Sequence, residues 1–142
     1  MNTAPIQIES YECAEVAKRI LIVDDERVFL LALKRILNGP KVSVDTAETV
    51  EAAIALLLER KYDAVITDMM LTTPLGEEGL EILKYVKDHN PDTKVIILTA
   101  YGNSKILQKA VRIGVDLFFE KPVSSHVLMR ALSSWGFQCQ AG

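Results

Sequence analysis

Three carboxylates, one hydroxyl and one ammonium carry the chemistry this sequence offers. Asp68 closes the short apolar run Ala64-Val65-Ile66-Thr67, and Asp24 and Asp25 close an earlier one, Ile20-Leu21-Ile22-Val23. An acid at the end of a buried strand is costly unless the site uses it. Carboxylates pressed together repel, and one stays protonated unless a cation compensates. Oxygen ligands with open positions suit Mg2+, which keeps several waters and takes up phosphate oxygens. An Asp side chain can also act as a nucleophile and become an aspartyl phosphate. A cation and a nearby ammonium then neutralise charge developing on the transferred phosphoryl group. Lys121, just past the last apolar run, supplies that ammonium as a compact point charge. Thr99, closing Val95-Ile96-Ile97-Leu98, can donate a hydroxyl hydrogen bond to a phosphoryl oxygen.

These residues meet only if strands and helices alternate, and the hydrophobic pattern says that they do. The strand Ile20 to Val23 precedes a helical pattern from about Glu26 to Leu37. Its stripe is Phe29, Ala32, Leu33, Ile36 and Leu37, which turns Leu30 and Leu31 outward beside Arg27, Lys34 and Arg35. Asn38-Gly39-Pro40 stops that helix, and Lys41 to Asp45 alternates as an edge strand. Thr49 caps a helix through about Arg60, with Val50, Ala53, Ile54, Leu57 and Leu58 as its core face. The strand Ala64 to Thr67 follows, then an irregular loop, Met69 to Glu78, containing Pro74 and Gly76. A helix over Leu80 to Asp88 ends at Asn90-Pro91. After the strand Val95 to Leu98 comes a helix over 104–113, with Leu107, Ala110 and Val111 on one face and Gly114 as C-cap. Val115 to Phe119 is the last strand. Ser124 or Ser125 caps the last helix, whose apolar face is Val127, Leu128, Ala131, Leu132 and Trp135.

Alternating short buried strands and helices imply a parallel sheet covered on both faces, with ligands bound beyond the carboxyl ends of the strands. The expected organisation is an N-terminal extension over 1–18, flexible or with a short helix over Glu12 to Lys18, a folded domain over 19–138, and a tail over 139–142. A hydrophobic content of 49% in 142 residues excludes a disordered chain and provides for a real core. The net charge of -3 comes without a basic cluster, so no nucleic-acid footprint is expected. The apolar runs are too short to cross a bilayer, and residues 1–19 lack the pattern of a signal peptide. A cytoplasmic protein is expected, with Cys13 and Cys139 as reduced thiols that form no metal-ligand spacing.

In order and spacing, Ile20-Leu21-Ile22-Val23-Asp24-Asp25-Glu26, Asp68 after its strand, Leu98-Thr99-Ala100 and Lys121-Pro122 resemble the receiver domains of bacterial two-component response regulators. The likeness runs over about residues 19 to 137. It implies a CheY-like, flavodoxin-like doubly wound sheet of five strands in the order 2-1-3-4-5 with five helices. That order belongs to the family's fold and does not follow from the hydrophobic pattern. The likeness further implies that Asp68 accepts a phosphoryl group from a kinase phosphohistidine. Asp25 binds Mg2+ directly, Asp24 partly through water, and the Met70 backbone carbonyl completes the protein ligands. Thr99 and Phe118 form the switch pair. Arg27, Leu30, Leu31 and Lys34 face the histidine kinase or phosphotransfer protein, and a downstream protein target reads the modified state. Receivers commonly have a Pro four residues after the acceptor and a Gly eight after it. Here Pro74 is six after and Gly79 eleven after, so the loop is about three residues longer.

Other readings stand beside this one. Asp24-Asp25-Glu26 could cap the first helix, since acids favour a helix N-terminus. A stand-alone single-domain regulator is expected; the alternatives are a pseudo-receiver scaffold, which would keep the fold without the chemistry, and the receiver of a longer regulator. An aspartyl-phosphate hydrolase commonly carries a second Asp two residues after the first, where this sequence has Met70. A flavin-binding module would want a Ser/Thr/Gly-rich loop where Asp24-Asp25-Glu26-Arg27 stands. The expected protein is therefore not an enzyme acting on other substrates. It catalyses only its own phosphorylation and dephosphorylation within a two-component or phosphorelay system.

Overall fold

The computed structural model describes residues 17–71, 77–100 and 104–139. The expected extension over 1–18 therefore lies almost wholly outside the described residues, as do Cys13, Pro74, Gly76 and Tyr101. Strands and helices alternate as β1 (Lys18–Val23), α1 (Arg27–Leu37), β2 (Val42–Ala47), α2 (Val50–Glu59), β3 (Ala64–Asp68), α3 (Glu78–His89), β4 (Lys94–Thr99), α4 (Ser104–Ile113), β5 (Leu117–Glu120) and α5 (Ser125–Ser134). The strands of the sheet pair in parallel, in the order β2-β1-β3-β4-β5. Both the doubly wound class and the strand order agree with the expectation.

The side-chain alternation of each strand sorts the core into two layers. Ile20, Ile22, Ile66, Ile96 and Leu98 pack with Leu30, Leu33 and Leu37 of α1 and Leu128 and Leu132 of α5. Leu21, Val23, Val65, Val95 and Ile97 pack with Ala53 of α2, Leu83 and Val86 of α3 and Ala110 of α4. Strands buried on both faces read as unbroken apolar runs, which is why β1, β3 and β4 are the plainest elements in the sequence.

Local signals fix the ends. The Thr49 hydroxyl accepts from the Ala52 N–H at 3.1 Å, and the Ser124 hydroxyl accepts from His126 and Val127 N–H. Gly114 ends α4 with φ +119°, a conformation that glycine adopts without steric cost.

Four helix faces differ from the expected ones. Leu30 is buried and Leu31 is exposed, so α1 rests on Leu30, Leu33 and Leu37, with Phe29 and Ile36 beside them and Ala32 in solvent. Six consecutive apolar residues offer two stripes, and the one with three leucines buries more apolar area than the one with Ala32. On α2 Leu58 is exposed and Leu56 packs instead. On α4 the packed face is Ile106, Ala110 and Ile113, leaving Leu107 and Val111 in solvent. On α5 Val127 is exposed and Met129 is buried in its place.

Candidate functional site

The register brings the chemistry to one end of the sheet. Val23 pairs with Ala47 on one side and Thr67 on the other, Asp68 pairs with Leu98, and Thr99 pairs with Glu120. Asp24, Asp68, Thr99 and Lys121 therefore stand at the carboxyl ends of four strands, on the topological switch between α1 on one face and α3 on the other.

Carboxylate oxygens of Asp24, Asp25 and Asp68 all lie within 4.8 Å of one another. Asp24 is 1% exposed and Asp68 8%, whereas Asp25 faces solvent. The Lys121 ammonium donates to Asp24 Oδ2 at 2.8 Å and lies 3.6 Å from Asp68 Oδ2. Asp24 also accepts the Glu26 N–H on Oδ1 at 2.9 Å. One Asp24 oxygen thus takes the ion pair and the other takes the N–H of Glu26, the N-cap of α1, whose own side chain makes no capping bond.

Burial pushes the Asp68 carboxyl up to about 6, aided by the charges of Asp24 and Asp25 and opposed by Lys121 and the Met70 N–H. Partial desolvation and the Asp24 charge raise Asp25 as well. Desolvation works to lower Lys121, but its hydrogen bond to Asp24 and the surrounding acids outweigh that and raise it, so it is an ammonium at neutral pH. Three acids share one ammonium, which leaves negative charge uncompensated. Their hard oxygen donors and the open solvent side at Asp25 fit a divalent cation.

Thr99 is fully buried, and its carbonyl accepts the Lys121 N–H at 2.7 Å, which anchors the residue carrying the ammonium to the end of β4. The Lys121–Pro122 bond is cis. Phe118 pairs with Ile97 and packs, partly buried, on the α2–α4 side. Strand alternation puts Thr99 on the same side as Ile97, so Thr99 and Phe118 share a face. Met70 is half-buried beside Asp68.

On α1, Arg27 is exposed and paired with Glu48 at 3.2 Å, Leu31 is exposed and Lys34 half-buried. Leu30, expected to face a partner, is instead core and offers nothing to one. Val28, 81% exposed and one turn before Leu31, takes its place in the apolar surface.

Two neighbours of the site have no local signal in the sequence. Gly79 donates its N–H to the Met69 carbonyl at 2.9 Å and lies against the Asp68 backbone, so the extra loop length is absorbed before it. The Phe29 ring lies 5.1 Å from the Lys121 ammonium. The glycine is visible only as an offset from Asp68, displaced by the longer loop, and the spacing of Phe29 marks it as core and nothing more.

A family model described as the response regulator receiver domain matches residues 20–133. The acid tolerance regulatory protein ActR of Rhizobium meliloti (strain 1021) is 31% identical over 115 residues, covering 81% of this chain and 58% of ActR. The chain thus spans little more than half of that relative. A CheY-like receiver domain protein from Methanospirillum hungatei JF-1 superposes with a TM-score of 0.76 at 28% identity, covering 84% of this chain and 93% of that one. A response regulator from Burkholderia pseudomallei, solved with a phosphorylated aspartic acid, a calcium ion and citrate, has a TM-score of 0.72 at 27% identity, covering 81% of this chain and 66% of that one.

Proposed function

The chain belongs to the response regulator receiver domain family, and from that premise we propose that Asp68 is its phosphoacceptor and that the acid cluster works with Mg2+. The observation that carries this is the joint placement of Asp24, Asp25 and Asp68 within 4.8 Å with the Lys121 ammonium bridging Asp24 and Asp68. The phosphorylated aspartic acid and calcium ion of the Burkholderia relative support the same reading.

Asp68 attacks phosphorus through a carboxylate oxygen. The bond from phosphorus to the donor's imidazole nitrogen breaks, and its electron pair leaves with that nitrogen. Lys121 neutralises charge on the phosphoryl oxygens, and the Thr99 hydroxyl donates to one of them. Asp24, Asp25, Asp68 and the Met70 carbonyl would hold Mg2+, which supplies further charge neutralisation and orientation when bound. Near neutral pH the Asp68 carboxyl, held at about 6, is mostly ionised and therefore nucleophilic.

The donor is a sensor histidine kinase or phosphotransfer protein, which meets the α1 surface of Arg27, Val28, Leu31 and Lys34. Such donors present their phosphohistidine in the cytoplasm, so this chain acts there. The output is a protein contact, switched through Thr99 and Phe118. The domain catalyses only the gain and loss of its own phosphoryl group.

Incubation with acetyl phosphate and Mg2+, followed by intact mass measurement, tests the proposal. One phosphoryl adduct is expected on the wild type and none on Asp68→Asn or after chelation. An equal adduct on Asp68→Asn would overturn it.

A further inference from the structure

Lys121 has a long, flexible stem, and its ammonium must be aimed to be useful. Its polar partners are the carboxylates Asp24 and Asp68, at 2.8 and 3.6 Å. A divalent cation drawn to Asp24 would compete with Lys121 for the same carboxylate. Among the described residues the ammonium has a further neighbour that stands outside this competition. The Phe29 ring, in the first turn of α1, lies beneath it at 5.1 Å from the centroid. Aromatic faces attract ammonium ions within about 6 Å, more strongly where water is excluded. Phe29 is itself half-buried against the core and is seated by the helix that starts at the site.

We propose that Phe29 is a positioning residue for phosphorylation: its ring face holds the Lys121 ammonium beside Asp68 independently of Asp24. This rests on the reading of Asp68 as phosphoacceptor. Phe29 touches neither the acceptor oxygen nor the phosphoryl group in this role and acts only through Lys121. Lys121→Ala should therefore erase the difference between Phe29 and its variants.

Two measurements on Phe29→Leu and Phe29→Tyr test the role. In the chain stripped of metal, NMR of the Lys121 ε-methylene protons reads the ring directly. Ring-current shielding is expected in the wild type and Phe29→Tyr and should be lost in Phe29→Leu, whose remaining spectrum reports whether the fold is intact. With acetyl phosphate and Mg2+, labelling of Phe29→Leu should be slower by roughly three- to tenfold, while Phe29→Tyr keeps the wild-type rate. Unshielded Lys121 protons in the wild type would overturn the stack. Labelling of Phe29→Leu as fast as wild type would overturn the positioning role alone. No adduct on the wild type would overturn the phosphoacceptor reading, and the role with it.

Discussion

Gly79 stands so close to Asp68 that a β-carbon there would lie 2.7 Å from the Asp68 carbonyl oxygen and 2.8 Å from Met69 Cα. Both atoms are backbone and cannot swing aside as a side chain would. The first turn of α3 is thereby locked to the end of β3. Gly79→Ala is expected to destabilise the fold by about 1–3 kcal/mol through overpacking and, by shifting the Asp68 backbone, to slow acetyl-phosphate labelling. Urea titration and labelling of the same preparation check this. An unchanged midpoint and rate would count against the contact.

The buried Asp68 carboxyl gives the metal-free protein a distinct pH signature. Its folded value of about 6 lies above the ordinary carboxylate value of 3.8. Between those values the folded chain binds more protons than the unfolded one. The group's stabilising contribution is complete below the lower value and is lost as pH rises through the upper one. At pH 7 the ionised carboxylate then costs roughly 3 kcal/mol. Metal-free Asp68→Asn should gain stability of that order over wild type at about pH 7 and little at about pH 4. Denaturant titrations at both pH values measure the gap; one that does not change with pH contradicts the burial account. Saturating Mg2+ should narrow it by stabilising the wild type.

How far the sequence can be read depends on how local each signal is. β1, β3 and β4 are plain because a strand covered on both faces is apolar throughout, and Asp24, Asp25, Asp68 and Thr99 each close such a run. The rotation of a helix is less local. Val28 to Leu33 are all apolar, so the period alone allows Leu30 to face either way, and only the volume available under α1 selects it for the core. The expectation for Leu107 and Val111 fails for the same reason: Ile106 and Ile113 bury more on the opposite side. Gly79 is hidden by loop length. Phe29 beside Lys121 depends on α1 and the end of β5 meeting in space, which no spacing within either segment encodes.

The exposed pair on α1 is Val28 and Leu31, side by side at helical spacing and rimmed by Arg27, Lys34 and Arg35. Val28→Glu with Leu31→Glu should keep the fold and the acetyl-phosphate labelling rate, because neither side chain packs in the core, yet slow transfer from the cognate kinase by roughly tenfold or more. Among the described residues Arg27 pairs with Glu48 alone, and so exposed a pair contributes little to stability and leaves Arg27 able to meet acidic residues of a donor. Transfer as fast as wild type in the double variant would remove this surface from the mechanism.

Met70 stands two residues past Asp68, half-buried, with a thioether that neither donates nor takes up a proton. Water attacking an aspartyl phosphate needs room and an ordering group, and Met70 supplies neither. The phosphorylated chain should decay slowly, and Met70→Asn should shorten its lifetime several-fold by offering an amide to that water. Tyr101, two residues past Thr99, lies outside the described residues. A decay time course after removal of the donor decides the matter, with equal lifetimes speaking against Met70 as a shield.

The phosphoryl group is expected on Asp68 rather than on the nearby Asp24 or Asp25, and every other step depends on that placement. Borohydride reduces an acyl phosphate to the alcohol, so a phosphorylated aspartate becomes homoserine and can be located by peptide mapping. The chain is labelled with acetyl phosphate and Mg2+, reduced, digested and sequenced by mass spectrometry. Homoserine is expected at position 68 and at neither 24 nor 25. Homoserine at 24 or 25 with an unmodified Asp68 would contradict the account.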